Sequence, residues 1–186
     1  MSRLPFAVPL PHGRYAVFDY GNANVRFAIR DLKYHRKSEG VDALVAAAAS
    51  HIADMIGDVL QSITATETLV LVPIPEHPRT LARRGFNQSA YITRALAALI
   101  TGATVAPLLE KTIPTAPQAH LHRGARLKNV AHTMRCNEVL DPKAIYLIID
   151  DVTTTGATFE EATRALKEAG ARKVHCIALA HGYAKK

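Results

Sequence analysis

Ile145-Tyr-Leu-Ile-Ile-Asp150-Asp151-Val-Thr153-Thr154-Thr155-Gly156-Ala157-Thr158 carries an apolar run into two acids and then into a hydroxyl-rich turn. The run Ile145 to Ile149 is short, rich in β-branched residues and without helical periodicity, which predicts a strand buried on both faces. Downstream, Thr158-x-x-Glu161 has the spacing of a capping box, and Phe159, Ala162, Leu166 and Ala169 share one helical face up to Gly170, which predicts a helix. Strand, acids, turn and helix in that order place the polar residues at the carboxyl end of a strand, where open α/β sheets bind their ligands.

Backbone N–H groups of Thr153 to Thr158 at a helix start converge on a phosphate, helped by the helix dipole and the hydroxyls. The two carboxylates repel that phosphate, so they face vicinal ribose hydroxyls or a bound Mg²⁺. A phosphate cradle beside two acceptors describes a ribose 5-phosphate site. The plainer alternative, a solvated acidic turn with a threonine-rich cap, leaves the order of the parts unexplained. A P-loop is excluded because no Gly-Lys-Ser/Thr is present.

The 186 residues are 48% hydrophobic and 21% charged, with a net charge of +7. That composition predicts one domain over residues 1–186 with a real core, neither disordered nor fibrous. The charge suits a polyanionic ligand, nucleic acid or a pyrophosphate-bearing sugar, without choosing between them. The absence of a long apolar run or an apolar leader in Met-Ser-Arg-Leu-Pro-Phe predicts a cytoplasmic chain with no membrane insertion. Cys136 and Cys176 are single and far apart, so neither a disulfide framework nor zinc is expected.

Prolines 5, 9 and 11 and Gly13 exclude a regular helix over the first dozen residues and predict an extended arm or an irregular lead-in, within a lead-in segment over residues 1–40. Tyr15 to Phe18 is a candidate strand. Val25, Ala28, Ile29 and Leu32 mark a short amphipathic helix ending in the basic cluster Lys33, His35, Arg36 and Lys37. These cations suit either a helix C-terminus or a ligand. Val41 to Val59 repeats apolar residues at three- and four-residue steps, giving a packing helix of about five turns. Leu69 to Val72 is a second buried strand, followed by the stiff turn Pro73-Ile74-Pro75-Glu76-His77-Pro78. Arg79, Arg83 and Arg84 follow on a loop, then Gly85-Phe86-Asn87-Gln88 and a helix burying Ile92, Leu96 and Ile100. Arginine grips diphosphate oxygens in bidentate fashion, so Arg83 and Arg84, with Lys33, are the candidate pyrophosphate residues. Val105 to Leu109 reads as a third strand and Val174 to Ala180 as the last, with no site in it. Between them, residues 111–139 form a long polar connection carrying Lys111, Arg123, Arg126 and Lys128. His120 and His122 within it lack a third metal ligand.

The motif Asp-Asp-Val-Thr-Thr-Thr-Gly-Ala-Thr after a hydrophobic strand resembles the phosphoribosyl pyrophosphate (PRPP) loop of type I phosphoribosyltransferases. Pro-Ile-Pro with Arg-Arg-Gly-Phe-Asn-Gln resembles the ComF group of competence-associated proteins within that superfamily, as does the Gln118, Arg123, Arg126-Leu-Lys-Asn pattern. Together these stretches span most of residues 70 to 180. Many ComF-like proteins carry an N-terminal zinc ribbon, for which this sequence has no Cys-x-x-Cys pairs. The resemblance implies an α/β fold with a mostly parallel sheet flanked by helices and residues 111–139 as a flexible lid. It implies that Asp150 and Asp151 meet the ribose hydroxyls, with Mg²⁺ bound there, while Thr153, Thr154, Thr155, Gly156, Ala157 and Thr158 wrap the 5-phosphate. The implied function is transfer of phosphoribosyl from PRPP to an unidentified acceptor with release of pyrophosphate, and ribose 5-phosphate is a second ligand. The alternative is a non-catalytic module in competence and DNA uptake that binds single-stranded DNA or a protein of the competence machinery. No residue stands out as a general base.

Overall fold

The computed structural model describes residues 8–10, 14–35, 37–55, 68–113 and 132–183. Elements run in the order β1 (Val8–Leu10), β2 (Arg14–Asp19), α1 (Ala23–His35), α2 (Glu39–Met55), β3 (Leu69–Pro73), α3 (Pro78–Arg84) and α4 (Gln88–Ala97). After these come β4 (Ala103–Val105), β5 (Leu109–Lys111), β6 (Met134–Cys136), β7 (Ile145–Thr153), α5 (Ala157–Glu168) and β8 (Lys173–His181). Six strands form one sheet in the order β1-β2-β8-β7-β3-β4, with every pairing parallel except β1 against β2. The architecture is therefore α/β with a mostly parallel sheet flanked by helices.

β7 is buried along its apolar length because both faces are covered. Ile145, Leu147 and Ile149 enter a core shared with α1, α2 and α4. Tyr146 and Ile148 enter a second core with Phe159, Ala162 and Leu166 of α5. This period-2 division between two apolar layers is why the strand reads as a continuous hydrophobic run. In α1 the buried residues are Val25, Ala28, Ile29 and Leu32, as the helical spacing predicts. α1 and α2 approach closely at Gly40, where a Cβ would lie 2.9 Å from that of Ala28. Val41, Leu44, Val45, Ala48 and Ile52 bury the face of α2, while the expected continuation to Val59 lies outside the described residues.

The structure changes four sequence expectations. β7 does not stop at Ile149 but runs through both acids, pairing Asp150 with Ala178 and Thr153 with His181 on β8. The apolar run ends where the shorter neighbour β3 ends, at Pro73 opposite Ile149, so the change in polarity marks the loss of one partner strand. The stretch Val105 to Leu109 is not one strand. β4 closes the edge of the main sheet, and β5 pairs antiparallel with β6 in a separate ribbon, matching Leu109 with Cys136 and Lys111 with Met134. The ends of the polar connection 111–139 are therefore held together, while residues 114–131, including Arg123, Arg126 and Lys128, lie outside the described residues. The arginine stretch after Pro78 is the helix α3 and not a loop. His77 accepts from the Arg79 N–H at its start, and Gly85, at φ 80°, ends it.

The fourth change concerns Glu161, which is not half of a capping box. α5 begins after Gly156 with no side-chain cap, and Glu161 is buried a turn further in. Its carboxylate accepts from the Met134 N–H at 2.9 Å and from Arg164, whose Nη2 also donates to the Met134 carbonyl at 2.7 Å. Burial opposes its charge, but bonds from Arg164 and the backbone of Met134 and His132 hold its pKa below the ordinary carboxylate value. A depressed pKa contributes stability above the unfolded value that is lost as pH falls through the folded one. Glu161→Gln should cost about 1–3 kcal/mol at neutral pH. In thermal melts the deficit should vanish in acid, and a deficit independent of pH would refute this role.

Candidate active site

The chain leaves β3 toward β4 on one side and leaves β7 through α5 toward β8 on the other, so the sheet's topological switch lies between β3 and β7. Connections that part in this way open a crevice at the carboxyl ends of the two strands. Across it, the Ile74 N–H donates to the Ile149 carbonyl at 3.0 Å, the last rung before the strands separate. Asn87 caps α4 through Ala90 N–H and donates from Nδ2 to the Ile74 carbonyl at 2.8 Å, tying the proline turn to the helix.

Asp150 sits in this fork and is only 8% exposed. Its Oδ1 accepts from Ser89 Oγ, in the first turn of α4, at 2.9 Å and from the Asp151 N–H at 2.9 Å. Burial drives its pKa well above the ordinary carboxylate range and the Asp151 charge adds to this, while the Ser89 and Asp151 donors work in the opposite direction. Asp151 is half-buried, and its Oδ1 accepts from the Val152 N–H at 2.7 Å. The two acids are thus inequivalent. Asp150 is a carboxylate whose charge the fold does not fully compensate, which is the condition of a group prepared for an external donor or cation.

Beyond the acids, Thr153 is buried and its carbonyl accepts from the Gly182 N–H at 2.8 Å. His181 Nε2 lies 3.1 Å from the Thr154 carbonyl, so this nitrogen carries the hydrogen, and Nδ1 is buried with no hydrogen-bond partner among the described residues. The end of β8 is therefore part of the turn, although the sequence pointed to no site there. Gly156 adopts φ 80°, and a Cβ on it would fall 2.1 Å from Arg14 Nη1. Arg14 approaches the Gly156 carbonyl at 3.4 Å and pairs with Glu160 at 2.8 Å, bracing the turn from β2. Both the backbone angle and the space require glycine at 156. Ala157, Thr158 and the rest of α5 follow directly.

The cations divide. Arg84 pairs with Glu76 of the proline turn, whereas Arg83 is exposed on α3 and forms no ion pair among the described residues. Lys111, assigned from sequence to the lid, comes back to the crevice at the end of β5. Burial lowers its pKa, and the carboxylates of Glu76 and Asp150 lie near enough to oppose that shift. Lys33 is half-buried in the last turn of α1, and no hydrogen bond or ion pair among the described residues ties it to the crevice. Ser89, Arg14 and His181 were not legible as site residues, since only the folded topology brings three distant segments to β7. No group of three or more His, Cys, Asp or Glu side chains arranged to hold a metal occurs among the described residues.

A parallel sheet with a switch-point crevice, an acid pair and a threonine turn into a helix defines a phosphoribosyltransferase-type domain. The phosphoribosyl transferase domain family matches residues 128–186. The DNA utilization protein YhgH of Salmonella typhimurium is 30% identical over 187 residues, covering 92% of this chain and 78% of that protein. The chain spans less of other relatives. It covers 62% of the YhgH protein of Escherichia coli K12, at 30% identity over 78% of this chain. It covers 46% of the competence protein ComFC of Streptococcus pneumoniae, at 37% identity over 58% of this chain. A solved hypoxanthine-guanine phosphoribosyltransferase (HGPRT) from Leishmania tarentolae, in complex with GMP, aligns with a TM-score of 0.43 and 15% identity, over 77% of this chain and 66% of that one. The chain belongs to the ComF-like family of proteins with the type I phosphoribosyltransferase fold.

Because the Asp150 pKa is raised, its ionised form destabilises the unliganded fold, fully above the folded pKa and not at all below the unfolded one, about 3.9. Asp150→Asn keeps an acceptor for Ser89 and should raise the melting temperature of the unliganded protein near neutral pH. The gain should shrink as pH is lowered toward about 4. A variant that melts below wild type at neutral pH would show that Asp150 is fully compensated.

Proposed function

We propose that the chain binds PRPP with Mg²⁺ and transfers its phosphoribosyl group, with release of pyrophosphate, to an acceptor the site does not identify. The observation that carries this is the start of α5. A helix N-terminus with no side-chain cap follows the left-handed Gly156 directly after the acid pair, so an anion site and an acceptor site adjoin. A 5-phosphate then takes the N–H groups of Thr153 to Thr158. The ribose hydroxyls donate to Asp150 and Asp151, which restores partners to the buried carboxylate. The diphosphate extends across the fork toward Lys111 and Arg84, with Arg83 and Lys33 as outer cations and Arg123, Arg126 and Lys128 on the lid.

In this proposal the bond from ribose C1 to the diphosphate oxygen breaks as the acceptor's bond to C1 forms, and the electron pair leaves with pyrophosphate. Lys111 and Arg84 then serve the negative charge that develops, Arg84 held by Glu76 of the proline turn and Lys111 by the β5–β6 ribbon. The hard carboxylate oxygens of Asp150 and Asp151 suit Mg²⁺, directly or through water, but two acids alone are too few for a dedicated cage. When bound with the diphosphate, Mg²⁺ supplies charge neutralisation. The lid segment keeps water from the reacting centre.

A second function, in DNA uptake as a single-strand or protein-binding module, is supported by the net charge of +7 and by the names DNA utilization protein and competence protein among the relatives. Both readings place the chain in the cytoplasm. Among the described residues no helix is long and apolar enough to cross a membrane.

Calorimetry with PRPP and Mg²⁺ tests the main proposal. Wild type should bind, and the variant carrying Asp150→Ala and Asp151→Ala should lose most of the affinity; equal binding by the two proteins would defeat it. The ends of the ligand should also separate. A charge-assisted hydrogen bond contributes roughly 1.5–3 kcal/mol, so Arg84→Ala should weaken PRPP by about one to two orders of magnitude while leaving ribose 5-phosphate nearly unchanged. Equal losses for both ligands would place Arg84 outside the diphosphate end.

A further inference from the structure

The outer face of α1 is unlike an ordinary solvated helix face. Its inner residues Val25, Ala28, Ile29 and Leu32 are already in the core. On the opposite side Ala23, Arg26, Phe27, Arg30, Asp31, Tyr34 and His35 line a groove of about 520 Å³. Phe27 is 69% exposed and Tyr34 is 64% exposed, so two large rings stand in water on one stripe. Seven residues apart, they are separated by about 10.5 Å along the axis. Arg30 lies between them, and Arg26 is steered by bonds from Nη1 to the carbonyls of Tyr20 at 3.4 Å and Gly21 at 3.1 Å. The one acid of the stripe, Asp31, is matched by His35 at 2.8 Å. With two arginines against one acid the face is cationic, with rings and guanidinium groups interleaved.

That interleaving selects among occupants. A membrane-surface helix separates its rings from its cations onto opposite faces and keeps the apolar face for lipid, whereas here the apolar face of α1 is used by the core. Rings beside arginines also occur at protein interfaces, so a second copy is the competing occupant, which the dimer outcome below decides. Rings that stack on bases, alternating with cations that meet phosphates, are what a single-stranded nucleic acid requires.

We propose that this face of α1 is a binding surface for single-stranded nucleic acid, with Phe27 and Tyr34 stacking on bases and Arg26 and Arg30 meeting the backbone. It rests on the DNA-handling reading above and assigns it a place. The surface is continuous with the acid pair through Tyr20, the residue after β2. Burial and Asp151 raise the Tyr20 pKa, Tyr34 adds to the rise, and Arg30 and Arg26 oppose it, so Tyr20 is near both the acid pair and the stripe.

The test is fluorescence anisotropy with a labelled oligothymidylate at several salt concentrations. Wild type should bind, and Phe27→Ala with Tyr34→Ala should weaken binding by about tenfold or more per ring. Arg30→Ala should reduce the slope of log affinity against log salt by about 0.7. Lys143→Ala with Arg172→Ala, an equal or greater loss of charge at the amino ends of β7 and β8, should change affinity far less. All these side chains are exposed or at the surface, so melting temperature and PRPP binding by the same variants serve as folding controls. If wild type binds and the ring variant binds equally well, the surface is elsewhere and only the present assignment fails. If wild type does not bind at any salt, the DNA-handling reading fails with it. If the ring variant instead abolishes a wild-type dimer in light scattering while DNA affinity is unchanged, the face belongs to a second copy and the proposal is overturned.

Discussion

One buried contact, Ser89 Oγ to Asp150 Oδ1 at 2.9 Å, joins the helix that leaves β3 to the strand that carries the acids. It spans the fork where β3 and β7 part, the one place in the sheet where neighbouring strands send their chains in opposite directions. A carboxylate there loses its hydration and gains two donors, fewer than an ionised group in water commands. The fold holds Asp150 in that state because β7 is paired on its other edge as far as Thr153, so the backbone cannot retreat. The long strand β8 is thus what makes the acid pair rigid, and its last residues complete the turn by taking the Thr153 and Thr154 carbonyls.

The sequence made the centre of this arrangement legible and left its supports hidden. The run Ile145–Ile149 could be read because burial on two faces leaves an unbroken apolar signature, and α1 because its buried spacing is helical. The acids and Gly156 were legible because they follow an apolar strand in the order strand, acids, turn and helix. Arg14 and Ser89 carry no such mark. Each is an ordinary polar residue whose meaning comes from a partner far away in the chain, as when Arg14 meets Glu160 across 146 positions. The same applies to Thr158 and Glu161, where a correct spacing suggested a local cap and a non-local partner, the Met134 N–H, took the carboxylate.

The β5–β6 ribbon shows how a long polar connection is attached without being part of the sheet. Its two strands match only three residue pairs, Leu109 with Cys136 to Lys111 with Met134. Three pairs of an isolated ribbon are marginal in water. What fixes it is burial of Leu109 and Met134 against α5 and the grip of Glu161 and Arg164 on both polar backbone atoms of Met134. α5 therefore has two tasks: its first turn follows the threonine turn, and its second anchors the returning end of the connection. Lys111 reaches Asp150 because of this anchoring and not because of its own neighbours in sequence.

The two hydrophobic layers give the sheet two chemically different sides that both border the crevice. The α5 side ends in backbone N–H groups, which suit a small, compact anion held closely. On the side formed by α1, α2 and α4, Asp150 meets Ser89 and the outer face of α1 carries exposed rings and arginines, which under the proposal suit an extended, unstacked polyanion held loosely. Under the two proposals the acids repel phosphate and so separate the two anion-binding regions. A net charge of +7 would otherwise attract any polyanion without discrimination. Two carboxylates between the proposed regions give each a boundary, and the buried one, Asp150, is the boundary the sheet cannot move.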